Sequence, residues 1–63
     1  MREFMRDARM ARNWTMQQAA DQLHVSVGYY SMLEHGQRTP SGHVAVRISK
    51  LFGVPLEKFY ETA

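Results

Sequence analysis

The sequence predicts an all-α domain, a compact bundle of five short helices, and three observations carry that prediction. Apolar residues recur at spacings of three and four and never in the strict alternation of a half-buried strand. Residues that start and stop helices fall at the edges of each apolar-periodic stretch. The chain has 63 residues, 44% of them hydrophobic, and no cysteine. Its stability must therefore come from tight helix packing or self-association, because neither disulfides nor thiolate-bound zinc are open to it.

In the first helix, residues 2–12, the apolar positions are Phe4, Met5 and Ala8, with arginines interleaved. Asn13 ends it, since asparagine tolerates the left-handed conformation of a helix stop. Thr15 is the next N-cap, and Gln18 three residues on completes a capping box. Met16, Ala19, Ala20 and Leu23 follow at i, i+3, i+4 and i+7, which places the second helix at residues 16–23. Only His24 and Val25 precede the following cap, Ser26, so helices two and three meet at a sharp angle. The third helix runs over residues 27–35 and is closed by Gly36. Residues 36–41 form a loop, and Ser41 caps a fourth helix whose apolar face is Val44, Ala45, Ile48, Leu51 and Phe52. Gly53 ends that helix. Pro55 suits the first turn of a short fifth helix, with Leu56 and Phe59 pointing inward. No repeat or linker interrupts the series, so residues 1–63 are expected to form one domain.

Several function classes are excluded at this level. No apolar run approaches the roughly 20 residues of a membrane-spanning helix, and the N-terminus lacks the uninterrupted apolar stretch of a secretory signal. A cytoplasmic protein is expected. No catalytic constellation of serine, cysteine or carboxylates is visible, so no enzyme and no cofactor are expected. His24, His35 and His43 lack the spacing of metal ligands, and the five methionines read as adaptable core filler. Arg2, Arg6, Arg9 and Arg12 are interrupted by Glu3 and Asp7, which argues against a basic membrane-surface helix. The net charge of +2 points only weakly to an anionic partner.

Two helices joined by a turn of three or four residues form the helix-turn-helix unit. From Met5 to Tyr60 the chain resembles the Cro/repressor-type (XRE) helix-turn-helix family. The resemblance rests on five motifs in order. They are Arg6-x-x-Arg9, the run from Thr15 to Ala20, Val25-Ser26, the run Glu34-x-Gly36-x-x-x-Pro40-Ser41, and Phe52-Gly53-Val54-x-Leu56-x-x-Phe59. Three positions depart from the family pattern. His24 stands where glycine is usual, Met16 replaces a glutamine, and Tyr30 replaces an aliphatic anchor. The resemblance implies a bundle of the phage-repressor DNA-binding type and sequence-specific binding of a double-stranded DNA operator by a small transcriptional regulator. The third helix would lie in the major groove.

Successive helical residues turn by about 100°, which puts Tyr30, Leu33 and Glu34 on one side of the third helix, toward the core. Gly28 and Met32 face the other way, flanked by Val27, Tyr29 and Ser31. The resemblance implies base contacts from Val27, Gly28, Tyr29 and Met32. This face has no arginine, glutamine or asparagine for bidentate base contacts, so Val27 and Met32 are expected to touch thymine methyls while DNA shape supplies much of the selectivity. Gly28 disfavours the helix by about 1 kcal/mol relative to alanine, explained equally by close approach to DNA or by tolerance near a helix start. Phosphate contacts are expected from Thr15 and Gln17 at the start of the second helix and from Ser26 at the start of the third, and the resemblance implies that His35, Gln37 and Arg38, in the following loop, lie along the sugar-phosphate chain. The resemblance also implies a structural salt bridge, Arg9 to Glu34, that aims the guanidinium toward the DNA backbone.

Regulators of this kind bind near-palindromic sites as dimers. Nothing after the fifth helix offers a separate dimerisation domain, so Val54, Phe59 and Tyr60 are the candidate interface of a weak homodimer strengthened on DNA, unless Phe59 fills the core of the monomer. The competing expectation is the same fold serving as a protein-interaction module, antitoxin-like or as the targeting domain of a larger protein.

Overall fold

A computed structural model describes residues 1–60. Four α-helices are present, α1 (Glu3–Ala11), α2 (Met16–Leu23), α3 (Val27–Glu34) and α4 (Gly42–Phe52), followed by a 3₁₀ turn at Leu56–Tyr60. The all-α expectation holds, with one correction: the fifth element is not an α-helix. It follows a left-handed Gly53 and Pro55, and the amide of Lys58 donates to the Pro55 carbonyl at 3.1 Å, the i→i+3 bond of the tighter helix. Leu56 is also corrected. It stays 37% exposed, because the place on the core is taken by Phe59, whose ring packs edge to face on Phe4 at 5.3 Å.

The helix starts follow from local chemistry. The capping box of α2 is complete: the Gln18 amide donates to Thr15 Oγ1 at 3.1 Å and the Thr15 amide to Gln18 Oε1 at 2.8 Å. Ser26 caps α3 by accepting from the Tyr29 amide at 3.1 Å. Ser41 occupies the capping position of α4 with extended backbone, but its hydroxyl makes no capping bond.

Helix ends use left-handed residues. Asn13 and His24 adopt φ of 57° and 59°, and Gly36 and Gly53 adopt 79° and 67°. After α1, the Trp14 amide reaches back to the Arg9 carbonyl at 3.2 Å; after α2, the Val25 amide reaches Ala20 at 3.1 Å; after α3, the Gln37 amide reaches Met32 at 2.9 Å. These six-to-one bonds are Schellman closures, which occupy carbonyls that helix geometry leaves without a partner.

Among the described residues ten apolar side chains form the core: Met5 from α1, Ala19, Ala20 and Leu23 from α2, Tyr30 and Leu33 from α3, Ala45, Ile48 and Phe52 from α4, and Phe59. Three of them are fully buried alanines on α2 and α4, whose small volume suits closely packed helices. α3 packs on α1 and α2, while α4 packs on α1, α2 and the 3₁₀ turn.

Arginines fasten the helices to one another. Arg47 donates to the Leu23 carbonyl at the end of α2 (3.0 Å), and Arg2 donates to Leu33 at the end of α3 (2.6 Å) and to the Arg38 carbonyl (2.7 Å). Arg12 donates to Leu51 near the end of α4 (2.9 Å) while lying over the rings of Trp14 and Phe52. Each cation sits at the negative end of a helix dipole, where charge and hydrogen bonding act together.

His24 is exposed and left-handed, so its side chain bears strain and returns no packing. Replacing it with glycine is expected to raise the melting temperature by about 2–5 °C in a circular-dichroism melt. A lower melting temperature would show that the imidazole has a stabilising contact.

Candidate nucleic-acid interface

The residues that orient α3 are fully buried. Tyr30, Leu33 and Glu34 are all 0% exposed, which matches the inward side expected from the sequence. Burial alone would push the Glu34 carboxyl up, but Arg9 reverses that. Its Nε and Nη2 donate to the two carboxylate oxygens at 2.9 Å each, and the net effect holds Glu34 below the ordinary carboxylate range. Nη1 of the same guanidinium donates to the Trp14 carbonyl at 2.9 Å, so one side chain ties α1, the turn after it and α3. The Arg9 side chain is 13% exposed. With all three nitrogens engaged inside the fold, it presents little surface to a phosphate. Its role is to set the pose of α3.

The Tyr30 hydroxyl is buried beside this pair without a hydrogen bond of ordinary geometry. Burial first, then the Glu34 carboxylate, push its titration upward. The Tyr30 departure from an aliphatic anchor therefore leaves the volume of the ring in the core and sets a hydroxyl beside the buried ion pair.

The opposite side of α3 is open. Val27 is 39% exposed, Gly28 is exposed, and Tyr29, Ser31 and Met32 are half-buried. The four candidate base-contacting residues thus lie on the accessible side, with Tyr29 also packed against the edge of the core. The cap on α3 leaves the amides of Val27 and Gly28 with no partner among the described residues, and the capping box of α2 leaves those of Met16 and Gln17 likewise unpaired there. Two helix starts therefore present free N–H groups at the positive ends of their dipoles, an arrangement that suits anions.

A match to the helix-turn-helix family model covers residues 5–59, the region built from these elements. The chain belongs to the XRE-type helix-turn-helix family. It is 30% identical over 61 residues to the uncharacterized HTH-type transcriptional regulator YqaF of Bacillus subtilis, covering 97% of this chain and 80% of that protein. It is 33% identical over 54 residues to the transcriptional regulator ClgR of Mycobacterium tuberculosis, covering 86% of this chain and 48% of that protein. No solved structure matches it significantly.

Within this helix-turn-helix fold the remaining candidate residues divide by how free they are. Thr15 and Ser26 are exposed, but their hydroxyls are committed to capping, so their help to an anion comes through the helix starts they organise. Gln17 donates to Asp21 at 2.9 Å, and His35 Nδ1 lies 2.8 Å from the Ser31 carbonyl on its own helix. Gln37 and Arg38 are exposed with side chains that make no hydrogen bond or ion pair in the described residues. Of the dimer candidates, Phe59 is 4% exposed and belongs to the core of the monomer, Val54 is half-buried, and Tyr60 is 55% exposed. Among the described residues no group of acidic, histidine or cysteine side chains could hold a metal ion, and no helix is long and apolar enough to cross a membrane. The sequence reading missed Arg2, Arg12 and Arg47 as structural clasps, since their partners lie 24 to 39 residues away with no spacing signal to announce them.

Removing the Glu34 carboxylate leaves Arg9 without its counter-charge on the packed side. Glu34→Ala is expected to lower stability by roughly 3 kcal/mol, a drop on the order of 10 °C in melting temperature. Because the folded carboxyl titrates below its unfolded value, its contribution is present at neutral pH and is lost as the pH falls through and below the ordinary carboxylate range. The gap between wild type and variant in thermal melts should therefore narrow in acid; a constant gap from neutral pH to acid would show that Glu34 acts through packing alone.

Proposed function

We propose that this helix-turn-helix protein binds double-stranded DNA in sequence-specific fashion as a small cytoplasmic transcriptional regulator, with α3 in the major groove. The observation that carries the proposal is the two-sidedness of α3: one side is locked into the core by Tyr30, Leu33 and the Arg9–Glu34 pair, and the other is exposed with free amides at its start. The family membership and the two relatives named as transcriptional regulators support it and favour it over a protein-interaction module.

In this proposal Val27, Gly28, Tyr29 and Met32 approach base edges. The starts of α2 and α3, organised by Thr15, Gln17 and Ser26, receive phosphates through their amides, and His35, Gln37 and Arg38 lie along the sugar-phosphate chain. Arg38 is the freest cation among them. Affinity is then expected to fall steeply with salt, each neutralised phosphate adding about 0.9 to the log–log slope. Arg38→Ala should weaken all duplexes alike and reduce the slope by about 1, measured by fluorescence anisotropy across a salt series. Absence of duplex binding at low salt would favour the protein-interaction module.

Two copies on a near-palindromic site need a contact between them, with half-sites about 34 Å apart. Tyr60 and Val54 are its centre in this proposal, beside the exposed apolar side chains of Val46 and Leu56. So small a patch supports weak pairing, strengthened when DNA aligns the copies. Sedimentation is expected to give a monomer at low micromolar concentration, and Tyr60→Asp should lower affinity for a double site more than for a half-site. A tight dimer at nanomolar concentration would overturn this.

A further inference from the structure

Gly28 is the second residue of α3, and nothing inside the chain asks for a glycine there. Its φ is not positive, unlike those of Gly36 and Gly53, and a Cβ built on it meets no atom within 4 Å. Alanine would fit this backbone and favour the helix. The absence of a side chain is therefore free of any internal packing or conformational reason, and it falls on the exposed side of the helix.

Apolar side chains flank this open position along α3, with the small hydroxyl of Ser31 at i+3. Val27 precedes it with 39% of its surface exposed, and Met32 stands one turn further on, at the i+4 position that shares its face. No amide, guanidinium or carboxylate side chain borders it on α3. In the major groove, the apolar base-edge feature that can approach an open backbone position flanked by apolar side chains is the C5 methyl group of thymine, which 5-methylcytosine carries at the same place. We infer that the open position at Gly28, between Val27 and Met32 along the helix, receives the C5 methyl of a thymine or 5-methylcytosine, and that Gly28 is a specificity-determining residue by virtue of what it lacks. The inference rests on the proposal that α3 enters the major groove.

A side chain at position 28 and a methyl on the base then compete for one space, which a paired substitution can read. The wild-type chain and Gly28→Ala are titrated against the best duplex from random-DNA selection and against versions with each thymine replaced singly by uracil, which differs only by that methyl. For wild type, uracil at one position is expected to cost about fourfold in affinity, the worth of burying one methyl. Gly28→Ala is expected to bind the thymine duplex about tenfold more weakly and to lose nothing, or to gain, on the uracil duplex. Its melting temperature should equal or exceed that of wild type, which separates a contact effect from a folding defect. Cytosine and 5-methylcytosine are then compared at the same position. Tighter binding of 5-methylcytosine assigns the open position to the methyl whichever base carries it, and an effect confined to thymine assigns it to thymine alone.

Uracil without effect at every position, or a uracil penalty equal in wild type and Gly28→Ala, overturns the inference while leaving DNA binding in place. Failure of the wild-type chain to bind any duplex at low salt overturns the DNA-binding proposal, and the inference with it.

Discussion

The bidentate pair between Arg9 and Glu34 is the constraint on which the presentation of α3 depends. Glu34 is the charged side chain held at 0% exposure, and a carboxylate in that position is tolerable only with a full counter-charge and its lone pairs occupied. Arg9 supplies both, and its remaining nitrogen holds the turn that leads into α2. An eight-residue helix such as α3 has too few internal bonds to persist alone. What fixes its rotation about its own axis is the trio of Tyr30, Leu33 and Glu34. Rotation by one residue would bury Gly28 or expose a carboxylate.

A chain of short helices has an unusually large share of its backbone at helix ends, where carbonyls and amides lack internal partners. Here the ends are closed twice over. Left-handed residues turn the chain back onto the last carbonyls of α1, α2 and α3, and arginines from distant positions take others at the ends of α2, α3 and α4. The second set also acts as long-range fastening. Arg2 docks the N-terminal segment on the end of α3 while lying against Phe59, and Arg12 joins the end of α1 to α4 across Trp14 and Phe52. A core of ten side chains is thereby supplemented by polar contacts that disulfides supply in other small domains.

What could be read from the sequence was whatever short-range chemistry decides. The capping box at Thr15 and Gln18, the left-handed Asn13, and the inward side of α3 each depend on residues within a turn or two of one another, and all are where the local pattern predicted. The arginine clasps were invisible because their partners are backbone carbonyls brought close only by the finished fold. The last element was misjudged for a related reason. Pro55 is compatible with the start of either helix type, and the choice goes with a tertiary contact, that of Phe59 with Phe4, which spacing does not announce. On the candidate interface, exposure followed from periodicity, but the openness around Gly28 required coordinates, since a glycine in a sequence does not say whether its space is filled.

The inward commitment of the arginines has a consequence for how such a molecule moves among nucleic acids. Four of the six, Arg2, Arg9, Arg12 and Arg47, hold oxygens of their own chain. Bonds to neutral carbonyls leave the charge of Arg2, Arg12 and Arg47 in place but hold their guanidiniums on the protein's own backbone, so they add to the field around the molecule without being free to follow a phosphate. In the proposed mode of binding, charge then sets the attraction to any duplex, and the fit of α3 sets the preference for one sequence over another.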